Sequence, residues 1–405
     1  MNLPDFIAKR TINSKTGQFS GSIYKIAISS IAIGLAIMLI ALLILGGFQK
    51  TIKDKVFSFA GHLQVTKYTL SNSFDESPIS IETDFFQNHE DLDFIRHVQG
   101  VAYKAGLLKT EEAVEGVVIK GIGADYDTAN FASNLIQGRF PNVNSEEYST
   151  EIIISKEIAQ LLRLELGEKV IMYFVQNPPR YRQLEIVGVY ETGLEDFDER
   201  MIIGDVRMIQ RLNDWTADQV GSFEVFINDD IDEEEAESIV FDKVEADQFV
   251  NLTSKKYPQY FEWLELLNQN VRLFLVLILF VACFNMVAVI FILTMERTPM
   301  IGLLKSMGAK NILIRNVFLM SGLRLTFKGL LWGNMVAIGA AALQYYFNLI
   351  PLDQENYYMS AVPILWDFKM IVGLNLLVLV VVLISLFLPV WFIARMKPIK
   401  AIRFD

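Results

Sequence analysis

The sequence predicts a membrane α-helical protein: four transmembrane helices, with a large mixed α+β domain inserted between helices 1 and 2. Two observations carry this fold class. Residues 26–49, 273–295, 329–352 and 370–394 contain no charged side chain, and each run covers 23–25 residues. An α-helix needs about 20 residues to cross the hydrocarbon core, and a backbone in lipid must satisfy its own hydrogen bonds, so the runs are expected to be helices. The second observation is charge. The chain has a net charge of −11, whereas residues 50–272 alone carry −20. A long acidic insert of that kind belongs in water.

The elements follow in chain order. Residues 1–22 place Leu3, Phe6, Ile7 and Arg10 on one side of a short helix, read either as an elbow on the inner leaflet or as an ordinary terminus. Residues 23–49 form the first span, too long for a signal-peptide core and followed by no A-x-A site, hence an uncleaved anchor. Phe48–Phe59 extends it as a stalk. Within the water-facing domain 50–271, strands are expected at His62–Lys67, Gly116–Ile122, Glu151–Ser155, Lys169–Val175, Gln183–Tyr190 and Phe223–Asn228. Helices are expected at Asp84–His97, Ser155–Leu162, Asp205–Leu212 and Asp232–Asp247, with a second stalk at Tyr257–Val271. Two prolines and an asparagine between Gln176 and Arg182 predict a protruding tip rather than regular pairing. Spans two, three and four are placed at 272–295, 316–350 and 370–394. They are joined by a connection at 296–315 and a short outer loop at 351–369, and followed by a tail at 395–405.

Orientation follows from the short segments, because positive loops stay in the cytoplasm while long domains cross largely regardless of charge. Residues 1–25 carry +3, residues 296–328 carry +5 and the tail +3, against −2 in the outer loop. Both termini are therefore expected in the cytoplasm, with the large domain outside. The same acidity argues against a nucleic-acid partner.

Catalytic signatures are missing. The chain has no G-x-x-x-x-G-K-[ST] loop to cradle phosphates and no H-E-x-x-H. His62, His89 and His97 lack ligand spacing, and Gly121-Ile122-Gly123 lacks the third glycine of a dinucleotide site. Charges are absent from the span centres, which disfavours a proton path, and Cys283 within span two reads as an apolar filler. No catalytic residue, cofactor-binding residue or metal ligand is assigned.

The connection after span two is more informative. Glu296-Arg297-Thr298-Pro299 should break the membrane helix, and Met300–Ala309 can then form a short amphipathic helix with Met300, Ile301, Leu304 and Met307 as its apolar stripe and Gly308 as its stop. Such a helix either lies on the bilayer or plugs into a partner's groove. Phe48, Phe57, Tyr260, Phe261, Trp263, Leu264 and Leu267 gather at the outer ends of spans one and two, as a lipid contact or as an interfacial aromatic belt. Gly329, Gly333, Ala337 and Ala341 give span three a small-residue seam for close helix packing.

The stretch M-E-R-T-P-M-I-G-L-L-K-S-M-G-A-K (Met295–Lys310) resembles the coupling segment of the FtsX-like/MacB-like ABC permeases, and Pro398–Arg403 resembles that family's terminal motif. The one-plus-three layout matches over essentially the whole chain. F-I-A-K-R (Phe6–Arg10) and the string from Ile350 to Pro363 are most similar to the lipoprotein-releasing (Lol) branch. The resemblance implies a non-enzymatic inner-membrane permease that pairs with a second copy or a sister permease. It docks a separate ABC ATPase, which binds the ATP and Mg, through Glu296, Arg297, Met300, Ile301, Leu304, Met307 and Gly308. It further implies extraction of acylated lipoprotein from the membrane lipid and transfer to a periplasmic chaperone, with Asn177, Pro178, Pro179, Arg180 and Tyr181 as a docking hook or a plain hairpin turn. The alternative is a mechanotransmitter that switches a cell-wall hydrolase or efflux adaptor and carries nothing. Two departures stand out. Met300 replaces the family's acidic residue, and the hook at 177–182 is short.

Overall fold

The computed structural model describes residues 18–68, 76–144, 147–176, 178–353 and 357–394. The elbow expected over most of 1–22, the tail 395–405 with its Pro398–Arg403 motif, and Asn177 lie outside the described residues. The described chain packs as two units. One comprises residues up to Lys50, Trp263–Pro351 and the chain from Ala361; the other comprises Thr51–Glu262 with Leu352–Ser360.

Among the described residues, four helices, each lying mainly in the first unit, are long and apolar enough to cross a membrane: Tyr24–Ala60, Pro258–Glu296, Asn311–Phe347 and Phe368–Phe387. They belong to helices that run Gln18–Ala60, Pro258–Glu296, Asn311–Phe347 and Phe368–Ala394, so the third begins five residues before the expected 316 and ends three before 350. Their shared core contains Leu35, Leu39, Met286, Ile290, Leu325, Val378 and Val382. Small residues set the spacing. A Cβ on Gly333 would sit 2.8 Å from the Ala32 carbonyl oxygen and one on Gly329 2.6 Å from Ile31, so these two glycines let the third helix lie close against the first. Asn334 and Asn375 exchange side-chain hydrogen bonds of 2.7 and 2.9 Å between the third and fourth helices. Each amide also donates to the carbonyl four residues earlier in its own helix, so neither polar group is abandoned to an apolar surround.

The second unit is built on a ten-stranded mixed sheet in the order β12-β1-β11-β3-β4-β9-β6-β8-β5, with β7 pairing both β3 and β8. The strands are β1 Leu63–Lys67, β2 Ile79–Ser80, β3 Ile95–Lys109, β4 Val114–Ile122, β5 Leu135–Gly138 and β6 Glu151–Ser155, followed by β7 Lys169–Phe174, β8 Arg180–Tyr190, β9 Met201–Asp205, β10 Gln219–Val220, β11 Ser222–Ile227 and β12 Gln248–Leu252. Strands β2 and β10 form a separate pair. The pairs β4/β9 and β6/β8 are parallel; the others are antiparallel. Two helix starts match their sequence signals. Ser155 Oγ accepts from Ile158 N at 3.0 Å, and Asp205 Oδ1 accepts from Arg207 N at 2.9 Å.

Four expectations are corrected. The helix expected over Asp84–His97 survives only as Asp84–Gln87 and a 3₁₀ turn at His89–Asp91. Asn88 leaves helical geometry, and from Ile95 the chain becomes β3, the longest strand of the sheet. Most of β3 is buried on both faces, which removes the in–out alternation that marks a half-buried strand. The acidic helix expected to reach Asp247 covers Glu233–Phe241 and gives way to β12. The pairing expected to begin at Gln183 begins at Arg180, because Arg180–Arg182 retain their N–H groups and pair with Met172–Phe174; only the prolines are barred from the ladder. The outer loop expected at 351–369 divides: Leu352–Ser360 packs with the second unit, whereas Leu365 N bonds Leu43 O at 3.0 Å within the first.

Candidate functional site

The second long helix ends at Glu296, Arg297 leaves helical geometry at φ −100° and ψ 11°, and a new helix runs Thr298–Ser306. Pro299 is tolerated in its first turn because the amides there have no intrahelical partner. Gly308 stops it. Its φ of +90° is open to glycine without a Cβ penalty, and the turn is closed by Gly308 N to Lys305 O at 3.0 Å and Ala309 N to Leu304 O at 2.9 Å.

The face of this helix differs from the expected stripe. Ile301 is 1% exposed and belongs to the core of the first unit with Leu293, Ile314 and Phe318. Met300 and Leu304 are half-buried on its flanks. Leu303, which the periodicity did not select, is 60% exposed, and Met307 is 76% exposed. They stand four residues apart and thus neighbour each other on a helical surface. Glu296 is exposed and Arg297 half-buried at the break before this helix. Two apolar stripes were compatible with the spacing, and packing against the flanking helices selected which one faces in.

The aromatic set at the outer helix ends is divided between the two units. In the first unit Phe48 meets Trp263 edge-on at 6.3 Å. Leu264 is 3% exposed, and Leu267 is half-buried. In the second unit Phe57 stacks on His62 at 4.1 Å and touches Phe261 at 5.7 Å. Tyr260, 2% exposed, receives Asp196 N on its hydroxyl at 3.4 Å and meets Tyr358 edge-on at 5.4 Å. Phe57, Tyr260 and Leu264 are thus occupied by internal packing, while Phe48, Phe261, Trp263 and Leu267 keep accessible surface. Sequence reasoning did not separate the outward face of the second long helix, where Phe274, Leu277, Phe280 and Phe284 are each more than half exposed. A helix apolar on every side carries no periodic signal for it.

His62 lies just beyond the first helix. Burial first, then the positive charge of Arg96, push its imidazole down to about 4. Its Nδ1 accepts from Ile227 N at 3.4 Å. That is a neutral, structural histidine.

The β7–β8 hairpin carries the expected tip. Val175 and Tyr181 are 67% and 63% exposed, and Tyr181 packs beside Tyr173 at 5.9 Å. Pro178 and Pro179 are exposed. Arg180 turns back into the unit: its guanidinium donates to Arg211 O and Leu212 O at 3.2 and 3.1 Å, at the end of the Val206–Leu212 helix. Among the described residues, no group of three or more His, Cys, Asp or Glu is placed to hold a metal ion.

Comparison with known proteins places this arrangement. Residues 26–240 match the family model of the MacB-like periplasmic core domain, and residues 272–398 match that of the FtsX-like permease C-terminal region. Similar chains include the "lipoprotein-releasing system transmembrane protein LolC" of Xylella fastidiosa strain Temecula1, 21% identical over 94% of this chain and 93% of that one. The LolC of Neisseria meningitidis serogroup B is 23% identical over 86% of each chain. The protein named LolE from Haemophilus influenzae is 19% identical over 84% of this chain and 82% of its own. With the first model spanning more than half of its length and the second covering three of its four membrane-spanning helices, the chain belongs to the family of the MacB-like periplasmic core domain, as a multi-pass membrane protein with an FtsX-like permease C-terminal region.

Proposed function

We propose that this chain is the permease subunit of an ABC complex that extracts lipoproteins from the inner membrane and hands them to a periplasmic carrier. The observation that supports it most is the alignment with lipoprotein-releasing permeases over more than nine-tenths of both chains. The geometry agrees with a passive subunit driven from outside. ATP and Mg would be bound by a separate ATPase, seated on the exposed Leu303–Met307 pair, with Glu296 and Arg297 beside it and Gly308 shaping the turn. Both termini lie in the cytoplasm and the sheet-bearing unit in the periplasm. The permease works with a second copy or a sister permease, and the outward apolar face of the second long helix supplies the surface for that partner or for acyl chains. Phe48, Phe261, Trp263 and Leu267 extend the acyl path outward, and the hairpin at Val175–Tyr181 offers the carrier a tip with little ordering cost.

The test is ATP-dependent release of triacylated lipoprotein from oriented inner-membrane vesicles holding this chain, its ATPase and a candidate carrier. Lipoprotein in the soluble fraction is the expected result; ATP hydrolysis with no release would refute extraction. One observation favours a second reading. Phe57, Tyr260 and Leu264 are buried in the fold rather than offered to a lipid, as suits a mechanotransmitter acting on a cell-wall hydrolase or efflux adaptor. Hydrolysis without release would turn the search to that partner.

A further inference from the structure

The first long helix ends inside the second unit. Ile52, Val56, Phe59 and Ala60, on one face of its last turns, are fully buried. A helix end leaves carbonyls without intrahelical partners. Here Ala60 O takes Gln64 Nε2 at 3.2 Å, and Phe59 O takes the ammonium of Lys120. Gly61 follows in the left-handed region at φ +68°, and a Cβ there would press on Glu224 and Val225 at 3.2 Å.

Lys120, from β4, is fully buried and pairs with equally buried Glu224 of β11 at 2.8 Å. Two groups of the intervening strand β3 hold the carboxylate: Gln99 Nε2 at 2.8 Å and Tyr103 Oη at 2.7 Å. The ammonium also stands over the rings of Phe59 at 4.7 Å and Tyr126 at 5.5 Å. Gln64 of β1, which caps Ala60, takes Lys256 Nζ on its side-chain oxygen at 2.7 Å. Lys256 stands two residues before the second long helix begins at Pro258. One polar network thus joins the end of the first helix, four neighbouring strands and the residue that leads into the second.

A fold does not need this network for stability alone, because a buried ion pair is often replaceable by packed apolar groups at no loss. What apolar contact does not supply is direction. It is indifferent to sliding and rotation, whereas charge-assisted hydrogen bonds fix distance and angle. We propose that Lys120 and Glu224 are positioning residues of the transmission: they lock the end of the first long helix to the sheet, so that a displacement of the helix moves the sheet as one body. This rests on the ATP-driven reading above. It goes beyond that reading in assigning the joint to a buried pair that is none of the lipid-contact, hairpin or ATPase-docking residues.

The test uses the full permease–ATPase complex in vesicles, comparing wild type with Lys120→Met/Glu224→Gln, which removes both charges and keeps one of the two side-chain oxygens, as an acceptor for Gln99, with an amide that donates to a reoriented Tyr103 hydroxyl. Two quantities are read: the ATP-dependent change in amide hydrogen exchange of β4 and β11, and lipoprotein released per ATP hydrolysed. The double variant is expected to hydrolyse ATP at the wild-type rate, to lose the ATP-dependent exchange change, and to release about tenfold less lipoprotein per ATP. If it retains both quantities, or if wild type shows no ATP-dependent exchange change, the proposal is overturned. Tyr103→Phe removes one hydrogen bond at constant shape and guards against a misfolded double variant; it is expected to lower the exchange change about twofold, and an unaltered response overturns the proposal. Wild type that changes exchange but releases nothing refutes the extraction reading alone, because the exchange arm still decides the joint.

Discussion

Replacing Leu303 and Met307 together by aspartate tests the docking surface most directly. Full burial of a leucine or methionine side chain is worth about 1.5–3 kcal/mol. With 60% of Leu303 and 76% of Met307 still exposed, a partner that covers both gains about 1–2 kcal/mol from each, or about 3 kcal/mol for the pair. That corresponds to a loss of about 100-fold in affinity when the pair is removed. The assay is titration of fluorescent ATPase subunit onto the permease in nanodiscs, with Kd as the readout. Ser306→Asp adds a charge to the same helix at another exposed position and should change Kd less than threefold. Ile301→Ala, at a buried site, should lower permease stability by about 2–4 kcal/mol through the cavity it opens. A Kd for Leu303→Asp/Met307→Asp within threefold of wild type would refute the assignment of this face to the ATPase.

Other consequences can be measured in detergent-solubilised protein. His62 has its pKa depressed from 6.5 to about 4, so the unfolded chain takes up a proton that the fold refuses. Its contribution is complete above about pH 6.5 and is lost as pH falls toward 4, by up to about 3 kcal/mol; His62→Asn should flatten that part of the pH–stability profile, and an identical profile would contradict the buried neutral ring. Asn334→Leu leaves Asn375 without its cross-helix partner, whereas Asn334→Leu/Asn375→Leu leaves none stranded. The double variant should be less destabilised than the sum of the singles, with a coupling of about 1 kcal/mol from a thermal-melt double-mutant cycle. Gly333→Val places a Cβ against the Ala32 carbonyl, which cannot retreat as a side-chain tip can. It should cost about 1–3 kcal/mol, and an unshifted melting curve would remove the seam from the packing argument.

The sequence by itself determined the four membrane helices, the insertion of a mixed domain after the first, the break at Arg297, the stop at Gly308 and the helix starts at Ser155 and Asp205. Each of these rests on a local cause: the length of an uncharged run in lipid, a backbone geometry that favours glycine, or a side-chain oxygen that reaches an amide two or three residues on. Tertiary structure alone decided that Leu303 rather than Ile301 faces out, that Phe57 and Tyr260 are spent in packing, and that Ile95–His97 open a strand where the expected helix ran on. It also decided that Lys120, Glu224, Gln99, Tyr103 and Gln64, spread over 160 positions of the chain, meet at the end of the first helix. Periodicity reports that an element has an apolar face. Which face is buried depends on the surfaces that surrounding elements present, and those are set by contacts distant in sequence.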